Sequence, residues 1–180
     1  MILETDRLLL RNFNKDDLDD LFEYAKIDEV GINAGWIPHT SKEHSMLVLN
    51  MFINDKNTFA IVYKENNKVI GSISLSRDKI RQDIKSKCLG YVLSKDYWAK
   101  GIMTEAVNKI LEYSFCIINL DIVSISHFKD NIASKRVIEK NGFYYEGTFR
   151  NSFLLHNGQI KDRCFYSLTK MEYLNKKNRQ

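Results

Sequence analysis

The sequence holds one proline and eight glycines in 180 residues. So few breakers exclude a long linker or a low-complexity disordered segment. Its three cysteines, Cys88, Cys116 and Cys164, are odd in number, widely spaced and set among apolar residues, with no Cys-x-x-Cys pair. That excludes a disulfide framework, and three reduced core thiols fit a cytoplasmic protein. The four histidines (His39, His44, His127, His156) lack the i, i+4 helical spacing of a zinc site, so no metal is expected. No apolar run approaches the length of a membrane span, and the start of the chain, with Glu4, Asp6 and Arg7 around a short apolar run, carries no secretory core. One-signed charge is also missing. The formal charge is +4 with both signs alternating, which excludes the footprint of a nucleic-acid binder and leaves a mild preference for phosphate-rich partners.

What is present is a core. The apolar fraction is 44%, with ten Phe and nine Tyr, enough for one domain burying about two thirds of its unfolded surface. That domain is expected over residues 1–174, with 175–180 a frayed polar tail in which Lys176, Lys177 and Arg179 are solvated. A strand is expected within Thr5–Phe13. Asn14, with Asp16 and Asp17, caps a helix whose buried stripe is Leu18, Leu21, Phe22 and Ala25. Gly31, Gly35 and Pro38 make Asp28–His39 read as a loop, and Thr40 with Glu43 reads as a capping box for a helix through about Ile53. Thr58–Lys64 and Val69–Leu75 read as a hairpin turning at Asn66-Asn67, and Asn157-Gly158 marks a second hairpin near the C-terminus.

The stretch Leu89–Asn141 carries the most chemistry. A buried strand (Leu89–Leu93) runs into a turn ending at Gly101, and a helix follows to about Phe115. Ile122–Phe128 is the next strand, and Asn131 then precedes a short helix stopped at Asn141-Gly142. A strand feeding a glycine turn at a helix start gathers unpaired N–H groups at the positive end of the helix dipole, an anion site suited to phosphate or pyrophosphate. The expected order is β-α-α-β-β-β-α-β-α-β-β, a mixed sheet flanked by helices.

Four stretches in order resemble the GNAT superfamily of N-acetyltransferases, in its ribosomal-protein N-terminal acetyltransferase branch. They are Thr5–Arg11, Gly90-Tyr91 with Trp98–Ala106, Asn131-x-x-Ser134 through Phe143, and Glu146-Gly147 to Asp162. The resemblance implies the GNAT fold, a mixed and mostly antiparallel sheet splayed at the cofactor site, with acetyl-CoA as co-substrate. It implies that the pyrophosphate lies on the amides of Tyr97, Trp98, Ala99, Lys100, Gly101, Ile102, Met103 and Thr104, with the pantetheine arm beside Val92, Leu93 and Ser94. Asn131 would bond the cofactor arm, the Leu93 N–H would polarise the thioester, and Ser134 would serve as acid toward the thiolate. Trp36 and His39 would border the acceptor.

The chain departs from that pattern in several places. Ala99 stands where glycine is common and is inexpensive if its φ is negative. Met103 replaces a small residue and would tighten the approach to the phosphate. Cys88 stands where many relatives carry a glutamate base, and Ile138 where others carry a tyrosine acid. Plainer roles compete: Gly101 as a helix-start glycine, Glu105 as a first-turn acid, Asn131 as a cap, Ser134 as a first-turn polar residue, Cys88 as a packed thiol and Trp36 as a loop residue folded onto the core. The implied activity is direct acetyl transfer in a ternary complex of a monomer or homodimer, to a protein N-terminal α-amine. The alternatives are a small-molecule amine (a polyamine, an aminoglycoside-like compound or an amino-acid derivative), or a non-catalytic acyl-CoA-binding module.

Overall fold

The computed structural model describes residues 2–178. Its frame is one eight-stranded sheet, built from β1 (Ile2–Glu4), β2 (Leu8–Asn12), β3 (Thr58–Tyr63), β4 (Lys68–Arg77), β5 (Ser86–Leu93), β6 (Ile122–Phe128), β7 (Tyr144–Leu154) and β8 (Ile160–Thr169). In space the strands run β1-β2-β3-β4-β5-β6-β8-β7, and every neighbouring pair is antiparallel except β5 with β6. Six helices flank it: α1 (Leu18–Ala25), α2 (Asp28–Ala34), α3 (Lys42–Asn54), α4 (Ile102–Glu112), α5 (Ile132–Lys140) and α6 (Lys170–Lys177). This is the expected mixed α/β fold with three elements added, β1, α2 and α6.

Because strand side chains alternate between faces, the sheet supports two separate cores. One face presents Leu8, Leu10, Ile73, Leu75, Leu89, Val123 and Ile125 to Ile102, Ala106 and Ile110 of α4 and to Ile138 of α5. The other presents Ala60, Val62, Val69 and Val92 to Leu21, Tyr24, Val30 and Leu49 of α1–α3. Where β4 meets β5 the backbones approach so closely that a Cβ on Gly71 would sit 2.3 Å from the Val92 carbonyl oxygen. A register shift at Ile61/Val62 accompanies that approach.

The segment read as a loop contains α2. Asp28 and Glu29 occupy its first turn, where the dipole favours acids. Gly31 is there for packing, since a Cβ would lie 3.0 Å from the Pro38 ring and 3.1 Å from the Trp36 indole. Gly35 ends the helix at φ 81°, its N–H bonding the Gly31 carbonyl at 2.8 Å. The cap of α3 is Ser41, whose side chain accepts from the His44 N–H, one residue beyond the expected Thr40. Asn14 does form a capping box, with Asp17. The end read as frayed is helical through Lys177, fixed by a capping box of Thr169 with Glu172. The expected boundary at 174 therefore falls inside α6, and residues 179 and 180 of that tail lie outside the described residues. Cys116, expected in the core, is exposed; Cys88 is half-buried and Cys164 buried.

Candidate active site

The pairing of β5 with β6 runs only from Ser86↔Ile122 to Leu89↔Ile125, although β5 continues to Leu93 and β6 to Phe128. The strands part beyond that point. The register fixes which groups face the gap. The Ser94 N–H donates to the Ile70 carbonyl at 2.7 Å, and Val92 lies opposite Ser72. Antiparallel ladders alternate, so Ser94 and Val92 direct their backbone groups at β4, and Tyr91 and Leu93 direct theirs at the gap. The Leu93 carbonyl is taken there by Trp98 Nε1 at 2.8 Å, which leaves the Leu93 N–H facing the opening.

Around the gap lies a cavity of about 640 Å³. Its walls include Val92, Leu93, Tyr97, Trp98, Ala99, Gly101, Ile102, Met103, Thr104, Asn131 and Ser134, but neither Ser94 nor Lys100. The Lys100 ammonium lies over the Tyr97 ring at 5.5 Å instead, and Ser94 turns its N–H to β4. The turn into α4 holds Ala99 at φ 58° and Gly101 at φ 74°. Ala99 thus takes the left-handed conformation, which costs a non-glycine residue about 1–2 kcal/mol. The condition of a negative φ is not met. Met103 is 5% exposed and packs in the core with Ile102 and Ala106, so most of its bulk goes inward.

No side chain caps α4. Its first N–H groups are therefore free for an anion. One acid stands in this first turn, Glu105. Its carboxylate accepts from Thr5 Oγ1 at 2.6 Å, the Arg7 N–H at 3.1 Å and Arg7 Nε at 2.7 Å. Burial alone would raise its pKa, but these bonds and the Arg7 charge outweigh burial and hold it below the usual carboxylate value. The expected first-turn acid is thereby neutralised by the Thr5–Arg11 stretch.

Asn131 caps α5, accepting from the Ser134 N–H at 3.0 Å. Ser134 Oγ lies 2.8 Å from the Tyr91 hydroxyl. Burial pushes the Tyr91 phenol up to about 12, so it stays protonated and can donate. Burial also raises the Cys88 thiol, which removes it as a thiolate. Arg136 and Lys140 of α5 and Arg163 of β8 line the same cavity. None was singled out in the sequence, although Arg136 and Lys140 have the i, i+4 spacing of one helix face.

A second cavity, about 510 Å³, contains Trp36 and His39 together with His44, Phe52, Ser72 and Ser74. Gly90, Tyr91 and Val92 border both cavities. The Trp36 indole is also part of the packing against α1–α3. The His39 and His44 rings stack at 4.3 Å, and His39 Nδ1 meets Ser45 Oγ at 2.8 Å. Burial, then the neighbouring His44, lowers the His39 pKa, keeping the imidazole neutral. Among the described residues, no group of three or more His, Cys, Asp or Glu side chains is placed to hold a metal ion, and no helix is long and apolar enough to cross a membrane.

A sheet parted beside an uncapped helix start, with a cavity running along the parted strand, makes a site suited to an elongated, phosphate-bearing molecule. Residues 7–144 match the acetyltransferase (GNAT) domain family. The chain is 31% identical over 177 residues to the uncharacterized N-acetyltransferase p20 of Bacillus licheniformis, covering 95% of this chain and 97% of that one. Its fold matches the ribosomal-protein-S5-alanine acetyltransferase of Vibrio fischeri (TM-score 0.76, 23% identity, 96% of this chain and 98% of that one). It also matches the spermidine N-acetyltransferase of Vibrio cholerae solved with CoA and spermine (TM-score 0.79, 22% identity, 95% and 100%). The chain belongs to the GNAT family and is an acetyl-CoA-dependent N-acetyltransferase.

Proposed function

We propose that the acceptor is the α-amine of a protein N-terminus, entering through the second cavity toward the thioester held beside β5. The observation that carries this reading is the wall chemistry: among the described residues, neither cavity is lined by an aspartate or glutamate. A polyamine needs acids to hold its spare ammonium groups, and a lysine needs a base. An α-amine titrates near ~7.8 and a lysine near ~10.4, a difference of about 3.5 kcal/mol in deprotonation cost. At pH 7.5 roughly a third of α-amine is already neutral, against about one lysine in 800. With Cys88 in the place of a carboxylate and its thiol raised by burial, the self-deprotonating amine is favoured. Three free thiols, one of them exposed, support a cytoplasmic location.

In this reading the pyrophosphate rests on the free amides at the start of α4, and Arg136 and Lys140 add positive charge at the same cavity. The neutral amine attacks the thioester carbon, the Leu93 N–H stabilises the developing oxyanion, and a nitrogen–carbon bond forms. The carbon–sulfur bond then breaks as Ser134 Oγ, held by the Tyr91 hydroxyl, gives its proton to sulfur and regains one from water. The amine's surplus proton leaves to water.

The test compares thiol release from acetyl-CoA with an unblocked peptide, an α-acetylated lysine peptide and spermidine at pH 7.5. At least 10-fold higher kcat/KM for the unblocked peptide is expected, and a preference for spermidine overturns the reading. Ser134→Ala is expected to lower kcat while calorimetric affinity for acetyl-CoA is kept. Unchanged turnover with chemistry rate-limiting removes Ser134 from the mechanism.

A further inference from the structure

Arg163 is the cation at this site that nothing in the mechanism uses. It projects from β8 on the sheet face that carries Ser72, Ser74, Ser76, Cys88 and Ser126, since it lies opposite Phe128 in register. That is the face opposite the one α4 and α5 cover, where Arg136 and Lys140 sit. Its guanidinium is held by two rings, Phe153 at 5.5 Å and Phe165 at 5.3 Å. Its one hydrogen bond among the described residues goes to a neutral group, Ser126 Oγ at 2.8 Å. Among the described residues it makes no ion pair. The carboxylates that lie along this face, Asp78 and Glu146, are taken by Arg81 instead, and Glu146 also accepts from Ser167.

A half-buried guanidinium has five donors in a planar fork matched to a carboxylate, and stacking on aromatic rings fixes that plane in advance. Leaving such a charge unpaired in a partly dry cavity is costly, and an incoming carboxylate would remove that cost. The same charge repels an acceptor with additional ammonium groups.

We propose that Arg163 determines acceptor specificity by binding a carboxylate carried by the amine substrate. The acceptor is therefore an acidic amine, either a peptide N-terminus bearing Asp or Glu, or a free amino acid presenting its α-carboxylate. The proposal rests on the α-amine reading above, with the acceptor entering from the serine-bearing face.

The experiment measures kcat/KM for peptides differing only in the first residue (Asp, Glu, Ala, Lys), and for glutamate and its α-amide. Wild type, Arg163→Gln and Arg163→Lys are compared. A charge-assisted contact predicts that wild type favours the acidic peptides over the Ala peptide by about 10- to 100-fold, mostly through KM. Arg163→Gln abolishes that preference and keeps the Ala-peptide rate, and Arg163→Lys restores part of it. Preference for glutamate over its α-amide, with no preference among peptides, identifies the free amino acid as the source. Equal rates for acidic and neutral acceptors in wild type overturn the proposal, as does a preference that survives in Arg163→Gln. Loss of calorimetric acetyl-CoA affinity in Arg163→Gln also overturns it by assigning the residue to the cofactor. Failure of the α-amine reading shows separately, as a dead Ala-peptide arm in every variant.

Discussion

The two faces of the sheet are made by the same strands and solve opposite problems. On β4 the residues alternate Ser72, Ile73, Ser74, Leu75, Ser76, and on β6 Val123, Ser124, Ile125, Ser126. The isoleucines, valine and leucine of these runs are at most 2% exposed under α4 and its neighbours. Of the serines, Ser72 and Ser74 border the second cavity and Ser76 and Ser126 the first, while Ser124 is buried between them. One face is closed by packing, and the other is left open to receive a molecule. Along these runs the apolar residues serve the core first and the serines face the cavities, although Leu89 and Ile125 of the packed face also line the first cavity.

That separation is broken most directly by mutation. Leu89→Ala, on the packed face, is expected to cost about 2–5 kcal/mol, and Ser74→Ala, on the open face, within about 0.5 kcal/mol. Urea unfolding of both variants checks this, and equal losses would mean that the faces are not independent.

The comparison is sharpened by pH, because each cavity has one buried histidine, His127 in the first and His39 in the second. Burial lowers both pKa values, in His127 against a raising bond between Nδ1 and the Phe128 carbonyl. A folded pKa below the unfolded value of about 6.5 means that the unfolded chain binds more protons on acidification. Their contribution is present above about 6.5 and lost as pH falls through the folded values. Melting temperature is expected to fall between pH 7 and 5, by about 2–4 °C per kcal/mol lost. His39→Gln flattens that slope in part, and a slope unchanged in this variant would leave His127 as the responsible group.

The smallest effect is expected at the cofactor turn. Ala99→Gly relieves the left-handed strain but adds freedom to the unfolded chain, for a net gain of about 0.5 kcal/mol. Thermal melts with and without acetyl-CoA check it, and a loss would mean that the Ala99 methyl packs usefully.

The strands and the larger helices were legible because their periodicities are strong, Ile122–Phe128 to the residue. The motifs between Leu89 and Asn141 converge on one cavity, with Trp36 and His39 on its neighbour. What escaped has physical causes. Gly31 and Gly35 look like breakers, yet one relieves a close approach and the other ends α2. The length of α6 depends on a capping box with Thr169, which lies at the end of β8. Arg163 and the serine face needed the register of β8 against β6, because single residues on different strands leave no local pattern. The φ of Ala99 depends on a turn that only its neighbours determine.

Glu105 is held by Thr5 and Arg7 across separations of 98 to 100 residues. Long-range closures of this kind come late in folding. At about 5–20 residues per second of synthesis, the first strands wait about 5–20 s for Glu105 to be made. The anion cradle is therefore completed only when the oldest part of the chain docks against a much younger one. Occupancy by acetyl-CoA becomes, in effect, a check on assembly: a molecule whose N-terminal hairpin has come loose is one whose cofactor turn has lost its anchor.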